Sequence, residues 1–100
     1  MEIVVKPSNS RSFLKEPQLR TCPCCGYRTI ASDFEICSIC WWQHDPAQES
    51  DPDDNLGANP VSLRQAQENY RQFGASRAEV IKHVEGPSLR YLKDLDWKPL

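Results

Sequence analysis

Leu63, Ala66, Tyr70 and Phe73 recur at i, i+3, i+7 and i+10, and the positions between them are Arg, Gln, Glu and Asn. That period lays one apolar stripe along a helix. Ser62 can cap its start, with Gln65 three residues on to complete a capping box. Gly74 is placed to end it in the left-handed conformation. Ser76 and Glu79 repeat the cap-and-box signal for a shorter segment carrying Val80, Ile81 and Val84, which Gly86-Pro87 stops. Elsewhere the apolar pattern is brief. Ile3 to Val5 reads as a short strand before a loop from Pro7 to Ser12, and Pro17 breaks structure again. Tyr27, Thr29 and Ile30 favour a strand, and Ala31-Ser32-Asp33 turns the chain towards Phe34, Glu35 and Ile36, which predicts a small hairpin. Asp45 to Pro60 is rich in Asp, Pro, Asn and Gly and reads as a loop. In the tail, Leu89, Leu92, Leu95 and Trp97 fit a helical turn or a strand equally well.

One hundred residues make one domain, 1–100. Within it lie a β lobe over about 1–45, an acidic loop over 46–61, and a helical segment with a tail over 62–100. A chain of this size has a modest core. Val, Ile, Leu and Phe are sparse here, so the core needs a staple, and a structural metal is one of the usual kinds. No apolar stretch is long enough to span a membrane, and the start, Met1-Glu2-Ile3-Val4-Val5-Lys6, does not read as a secretory signal. The expectation is therefore a cytoplasmic protein, where thiols stay reduced.

Charge is unevenly spread. From Thr29 to Leu63 there is no Lys or Arg, while Asp33, Glu35, Asp45, Glu49, Asp51, Asp53 and Asp54 all fall there. Such a stretch repels phosphate backbones and attracts basic partners.

The chemistry sits in two Cys-x-x-Cys pairs, Cys22/Cys25 and Cys37/Cys40, with eleven residues between them. Paired thiolates at this spacing can meet in the tetrahedron that zinc takes with sulfur. A tight turn after Cys22 points backbone N–H groups at sulfur, and Gly26 supplies a positive φ just past the second ligand. This Cys-Pro-x-Cys-Gly-aromatic segment resembles the zinc knuckles of rubredoxins and zinc ribbons. The second turn departs from that pattern, since Trp41 stands where glycine is preferred. Cys24 is left over: a spare thiol first of all, otherwise a swapped-in ligand or a bridge to a second metal. His44 is a further candidate ligand, but four thiolates already complete the shell. His83, on a helical face, reads as structural or solvated.

The longer string, Cys22-Pro23-Cys24-Cys25-Gly26-Tyr27, then Ile36-Cys37-x-x-Cys40-x-Trp42, Asp45, Gly57-x-Asn59, Ser62-Leu63, Ala66, Asn69-Tyr70 and Phe73-Gly74-Ala75, resembles the bacterial cysteine-rich CPCC family. The resemblance covers about Thr21 to Ser76. It implies a small metal-binding domain followed by a helix. Genes of such proteins sometimes stand beside interbacterial toxins, which suggests an immunity role.

Four thiolates close the coordination shell, so a water-activating catalytic zinc is not expected. Iron is the competing metal, because the same cage holds iron in rubredoxins; zinc is favoured. Asp51-x-Asp53-x-Asn55 fails as an EF-hand, with Leu56 at the sixth position and Ser62 at the twelfth. Nucleic-acid binding would want Lys and Arg near the cysteines, and only Arg20 and Arg28 flank them. Of Trp41 and Trp42, one ring is expected to cover the metal site and pack on the Leu63/Tyr70 stripe, leaving the other beside the acidic loop.

The sequence thus predicts an α+β fold, a zinc-ribbon or rubredoxin-like hairpin packed on a C-terminal helical segment, with Zn²⁺ on Cys22, Cys25, Cys37 and Cys40. Its expected function is non-enzymatic binding of a protein partner, such as a basic toxin domain, through Trp42, Asp45, Asp51, Asp53 and Asp54. The alternatives are an iron electron carrier and a nucleic-acid-associated ribbon.

Overall fold

Each Cys-x-x-Cys turn reverses the chain, so the residues entering and leaving one turn become neighbours. This local logic organises the computed structural model, which describes residues 18–100. Strand β1 (Arg20–Thr21) enters the first turn and pairs antiparallel with β2 (Arg28–Ile30), which leaves it, with Arg20 opposite Ile30 and Thr21 opposite Arg28. The second turn is flanked in the same way by a single bridge between Ile36 and Gln43.

The predicted hairpin is therefore re-paired. Arg28–Ile30 is a strand as anticipated, but its partner precedes Cys22, and Phe34–Ile36 forms no strand against it. Phe34 sits instead at φ 65°, in a turn closed by Glu35 N on Ser32 O, and its N–H donates to the His44 carbonyl at 2.6 Å. The strand expected at Ile3–Val5, the loop at Pro7–Ser12 and the break at Pro17 lie outside the described residues.

The stretch expected as one loop contains a short helix, α1 (Pro46–Ser50). Asp45 nucleates it, its carboxylate accepting the N–H groups of Ala47 and Gln48, and proline occupies the first helical position. Helix α2 (Leu63–Phe73) matches the periodicity closely: Ser62 Oγ accepts from Gln65 N at 3.1 Å, and Gly74 closes the helix at φ 80°. Only half of the capping box forms, because the Gln65 side chain bonds forward to Asn69. Leu63 and Ala66 are buried and Tyr70 is half-buried, but Phe73 is exposed, since the last turn runs past the edge of the core.

Beyond α2 the second cap-and-box does not form. Ser76 is buried, with its N–H on the Cys40 carbonyl, and a 3-10 helix (Ala78–His83) begins after Arg77 without a side-chain cap. The tail is neither helix nor strand. It makes one bridge, Lys93 to Tyr27, and turns Leu89, Leu92 and Leu95 outward.

The core forms around sulfur. Its buried cluster is Cys22, Cys24, Cys25, Ile30, Cys37, Ile39, Cys40, Trp42, Leu63 and Ala66, half of them cysteines. Few apolar side chains remain to hold the fold by hydrophobic burial alone. Small strands on one side and α2 on the other make an α+β arrangement with the four clustered cysteines between them.

Candidate metal centre

The two turns are built alike. Cys22 N donates to the Tyr27 carbonyl at 2.8 Å and Gly26 N to the Cys22 carbonyl at 2.8 Å; Cys37 N donates to Trp42 O at 2.9 Å and Trp41 N to Cys37 O at 2.8 Å. Each turn thus presents two thiols from one side. The four sulfur atoms of Cys22, Cys25, Cys37 and Cys40 all lie within 4.8 Å of one another, with Cys22 Sγ 3.6 Å from Cys40 Sγ and Cys25 Sγ 3.7 Å from Cys37 Sγ. A tetrahedral ion with metal–sulfur bonds of about 2.3 Å needs sulfur–sulfur edges of about 3.8 Å. The cluster fits.

Its proton chemistry points the same way. Burial pushes the Cys22 and Cys40 thiols well up, whereas S–H donors from Cys22, Cys25 and Cys40 hold Cys37 far down as the thiolate. Thr29 Oγ1, 3.0 Å from Cys37 Sγ, adds a further donor to that thiolate. Without a cation, buried sulfurs this close oppose a second ionisation. A divalent ion lets all four ionise together. The four ligands are essentially inaccessible to solvent, so the shell is a closed one.

The departure at Trp41 does not disturb the second turn. Trp41 adopts φ 71° where its counterpart Gly26 has φ 85°. Its ring stacks on His83, with centroids 5.1 Å apart and an interplanar angle of 23°. His83 is thus structural at its ring and exposed at its edge.

Residues outside the two cysteine pairs hold the second turn in place. Asn59, buried, accepts from Gln43 N at 2.8 Å and donates to Gln43 O at 2.8 Å, fixing the strand-like residue after Trp42. Gln48, fully buried on α1, accepts from Asn59 N and Asn59 Nδ2 and donates to the carbonyls of Asn59 and Val61. Gly57 must lack a side chain, since a Cβ there would meet Asp45 Oδ2 at 2.7 Å. The Gly57-x-Asn59 string in the sequence carried this signal, but only the tertiary contact shows its use.

The partner surface expected from the sequence divides. Trp42 is wholly buried in the sulfur cluster, and its Nε1 donates to Glu49 Oε2 at 2.9 Å. It is the sealing ring, not the exposed one; Trp41 is the half-exposed member of the pair. Asp45 is also withdrawn from the surface, 6 % exposed, because its carboxylate caps α1 and accepts from Ala58 N at 2.9 Å. The Ala58 contact, then the α1 N–H groups, hold that carboxyl below the usual range. Trp42 and Asp45 are therefore internal supports and cannot touch a partner directly.

Asp51, Asp53 and Asp54 remain at the surface. Asp51 Oδ1 accepts from Asp53 N, Asp54 Oδ1 accepts from Leu56 N at 2.8 Å, and Asp53 pairs with Arg64 Nε at 2.8 Å. The acidic stretch is thus partly offset by cations from outside it, as Arg20 also shows by pairing with Asp33. His44 is nearly buried between acids, with Nε2 3.4 Å from Asp33 Oδ1. Its Nδ1 comes within 2.8 Å of Glu49 Oε2, but no hydrogen bond is aligned between them. Among the described residues it joins no metal cluster. Cys24, buried beside the ligands, also stands outside the four.

The model of the family described as cysteine-rich CPCC matches residues 20–90, most of the chain and nearly all of the described fold. No curated protein matches the sequence. Among the described residues no helix is long and apolar enough to cross a membrane.

Proposed function

The chain belongs to the cysteine-rich CPCC family, and from that membership and the closed sulfur cage we propose a non-enzymatic, zinc-stabilised protein-binding module of the immunity type. The observation that carries the reading is the completeness of the cage: four buried thiols at tetrahedral spacing. Zinc suits such a site, being redox-silent and content with four sulfur ligands. Once bound it would leave no open coordination position; it would tie the two cysteine turns together, and Leu63 and Ala66 of α2 pack in the same buried cluster.

The acidic surface then meets the partner. Asp51, Asp53 and Asp54 precede Leu56 in the same loop, and Leu56, 83 % exposed, takes the anchoring place that Trp42 cannot fill. A basic surface with an apolar recess complements that loop, and charge of this kind steers association. An inhibitor that masks the basic surface of a toxin domain fits the description.

Metal analysis of the purified protein tests the zinc half. Zinc at one equivalent per chain is expected, with loss of helical circular dichroism on removal by a thiol-competing chelator. A red iron–thiolate protein would replace this reading with electron transfer. For the binding half, the association rate with a basic toxin domain that the protein binds should fall when Asp51, Asp53 and Asp54 are all changed to Lys. An unaltered rate removes the acidic loop from the interface.

A further inference from the structure

Four thiolates around one divalent ion carry a net charge of two negatives, and a core of low dielectric magnifies that charge. Something must answer it. Arg64 and Arg71 lie near the first turn, lining with Cys24, Cys25, Tyr70 and Trp97 a cavity of about 290 Å³. Both are committed to acids, Arg64 to Asp53 and Arg71 to Glu68. Lys93 lines the same cavity and differs: among the described residues it has no carboxylate at ion-pair distance. Its Nζ donates to the carbonyl of the ligand residue Cys25 at 3.1 Å. The ammonium lies 4.7 Å from the centroid of the Tyr27 ring and 5.0 Å from that of Trp97.

The tail is strapped down on both sides of this lysine. Arg28 N donates to Leu92 O at 2.9 Å and Asp94 N donates to Gly26 O at 2.8 Å, so Lys93 is registered directly opposite Tyr27. Asp94 in turn accepts from Thr21 Oγ1 at 2.6 Å. Trp97 lies so close over Gly26 that a Cβ there would collide with its ring. An exposed lysine ordinarily keeps its head in water. This one is guided by strap and rings onto the backbone of the metal shell.

We infer that Lys93 is the counter-charge of the tetrathiolate centre, a positioning residue that sets how slowly the site gives up its ion. The inference rests on the zinc reading above. The two aromatic faces hold the ammonium by cation–π attraction, and the Cys25 carbonyl holds it on the backbone of a ligand residue. Outer-shell partners of this kind alter metal retention by about 10- to 100-fold.

The test is the rate at which the zinc-loaded full chain transfers its ion to a chromogenic chelator. Lys93→Met, which keeps the length and loses the charge, should release zinc about 10-fold faster or more; Lys93→Arg should stay close to the parent. Cobalt-substituted samples should give the same d–d bands in all three, showing an unchanged cage. In the parent, release should also quicken as ionic strength rises from about 0.05 to 0.5 M, where screening tightens to a few ångströms. Equal acceleration in the Met and Arg variants would reduce Lys93 to packing and overturn the inference. A parent rate indifferent to salt overturns it even where Lys93→Met does not fold. A chain that takes up no divalent ion fails the zinc reading itself, before any Lys93 variant is compared.

Discussion

Gly26 and Trp41 occupy the same place in two equivalent turns, at φ 85° and 71°, each donating its N–H to the carbonyl of the turn's first cysteine. Glycine takes that conformation freely. A tryptophan there costs roughly 1–2 kcal/mol, offset by a stack on His83 of about 0.5–1.5 kcal/mol. Denaturant unfolding of the metal-loaded protein should therefore rank Trp41→Gly above Trp41→Ala by about 1 kcal/mol, the reverse of the usual order of these residues. Gly26→Ala should cost about 2 kcal/mol or more, because it adds the collision with Trp97 to the backbone strain. Equal stabilities for the two Trp41 variants would contradict the left-handed turn.

Substitution of Cys22, Cys25, Cys37 or Cys40 by Ser should abolish stoichiometric metal binding, whereas Cys24→Ala should keep it, since Cys24 lies outside the group of four. Thr29→Val keeps shape but removes the donor to Cys37 Sγ, and should weaken retention by roughly 10-fold. Metal-to-protein ratios after dialysis against a competing chelator measure all of these. Loss of the ion from Cys24→Ala alone would make it a ligand after all.

Trp42 and Trp41 should respond very differently to truncation. Trp42 is wholly buried in one cluster with the cysteines and Leu63, so Trp42→Ala should cost about 3–5 kcal/mol. Trp42→Phe keeps most of the packing and loses the Nε1 bond to Glu49, a cost of about 1–3 kcal/mol because the carboxylate stays partly buried. A Trp42→Ala variant as stable as the parent would show that ring to lie elsewhere.

Asp45 gives the fold an acid-sensitive element. Its carboxyl is held down by the Ala58 N–H and the α1 N-terminus. A carboxyl depressed on folding stabilises the native state above its unfolded value of about 3.9 and loses that contribution as pH falls through the folded value. Asp45→Asn keeps a capping oxygen for α1 but turns an N–H donor towards Ala58 N. Its stability should drop by about 1–2 kcal/mol near neutral pH, and its unfolding should depend less on pH below about 4. Urea titrations of both proteins across that range decide the point; parallel pH curves would release Asp45 from this role.

Local signals were legible wherever a short segment holds its own partners. The α2 cap, its Gly74 stop and the Cys22 turn each complete their hydrogen bonds within a few residues, so residue type and spacing suffice to read them. The hairpin was misread because strand pairing is not local: Thr29 and Ile30 favour a strand, but only the reversal at Cys22–Gly26 selects Arg20–Thr21 as its partner. Helix α1 was hidden by its composition, because Asp45-Pro46 reads as loop until the cap is seen. Trp42 was placed on the partner surface although its ring is the buried one, since adjacency in sequence says that the rings diverge but not which goes inward.

What the sequence by itself determined is the cage and its attached helix: four thiols at two short spacings and one amphipathic period. Those are properties of distance along the chain. The tertiary structure alone decided which tryptophan seals the sulfur, that Asp45 works inward while Asp51, Asp53 and Asp54 face out, and that Lys93 arrives beside Cys25 from 68 residues away. Such contacts depend on how separated segments pack, and no local pattern carries them, because the free energy that selects them exists only once the segments have met.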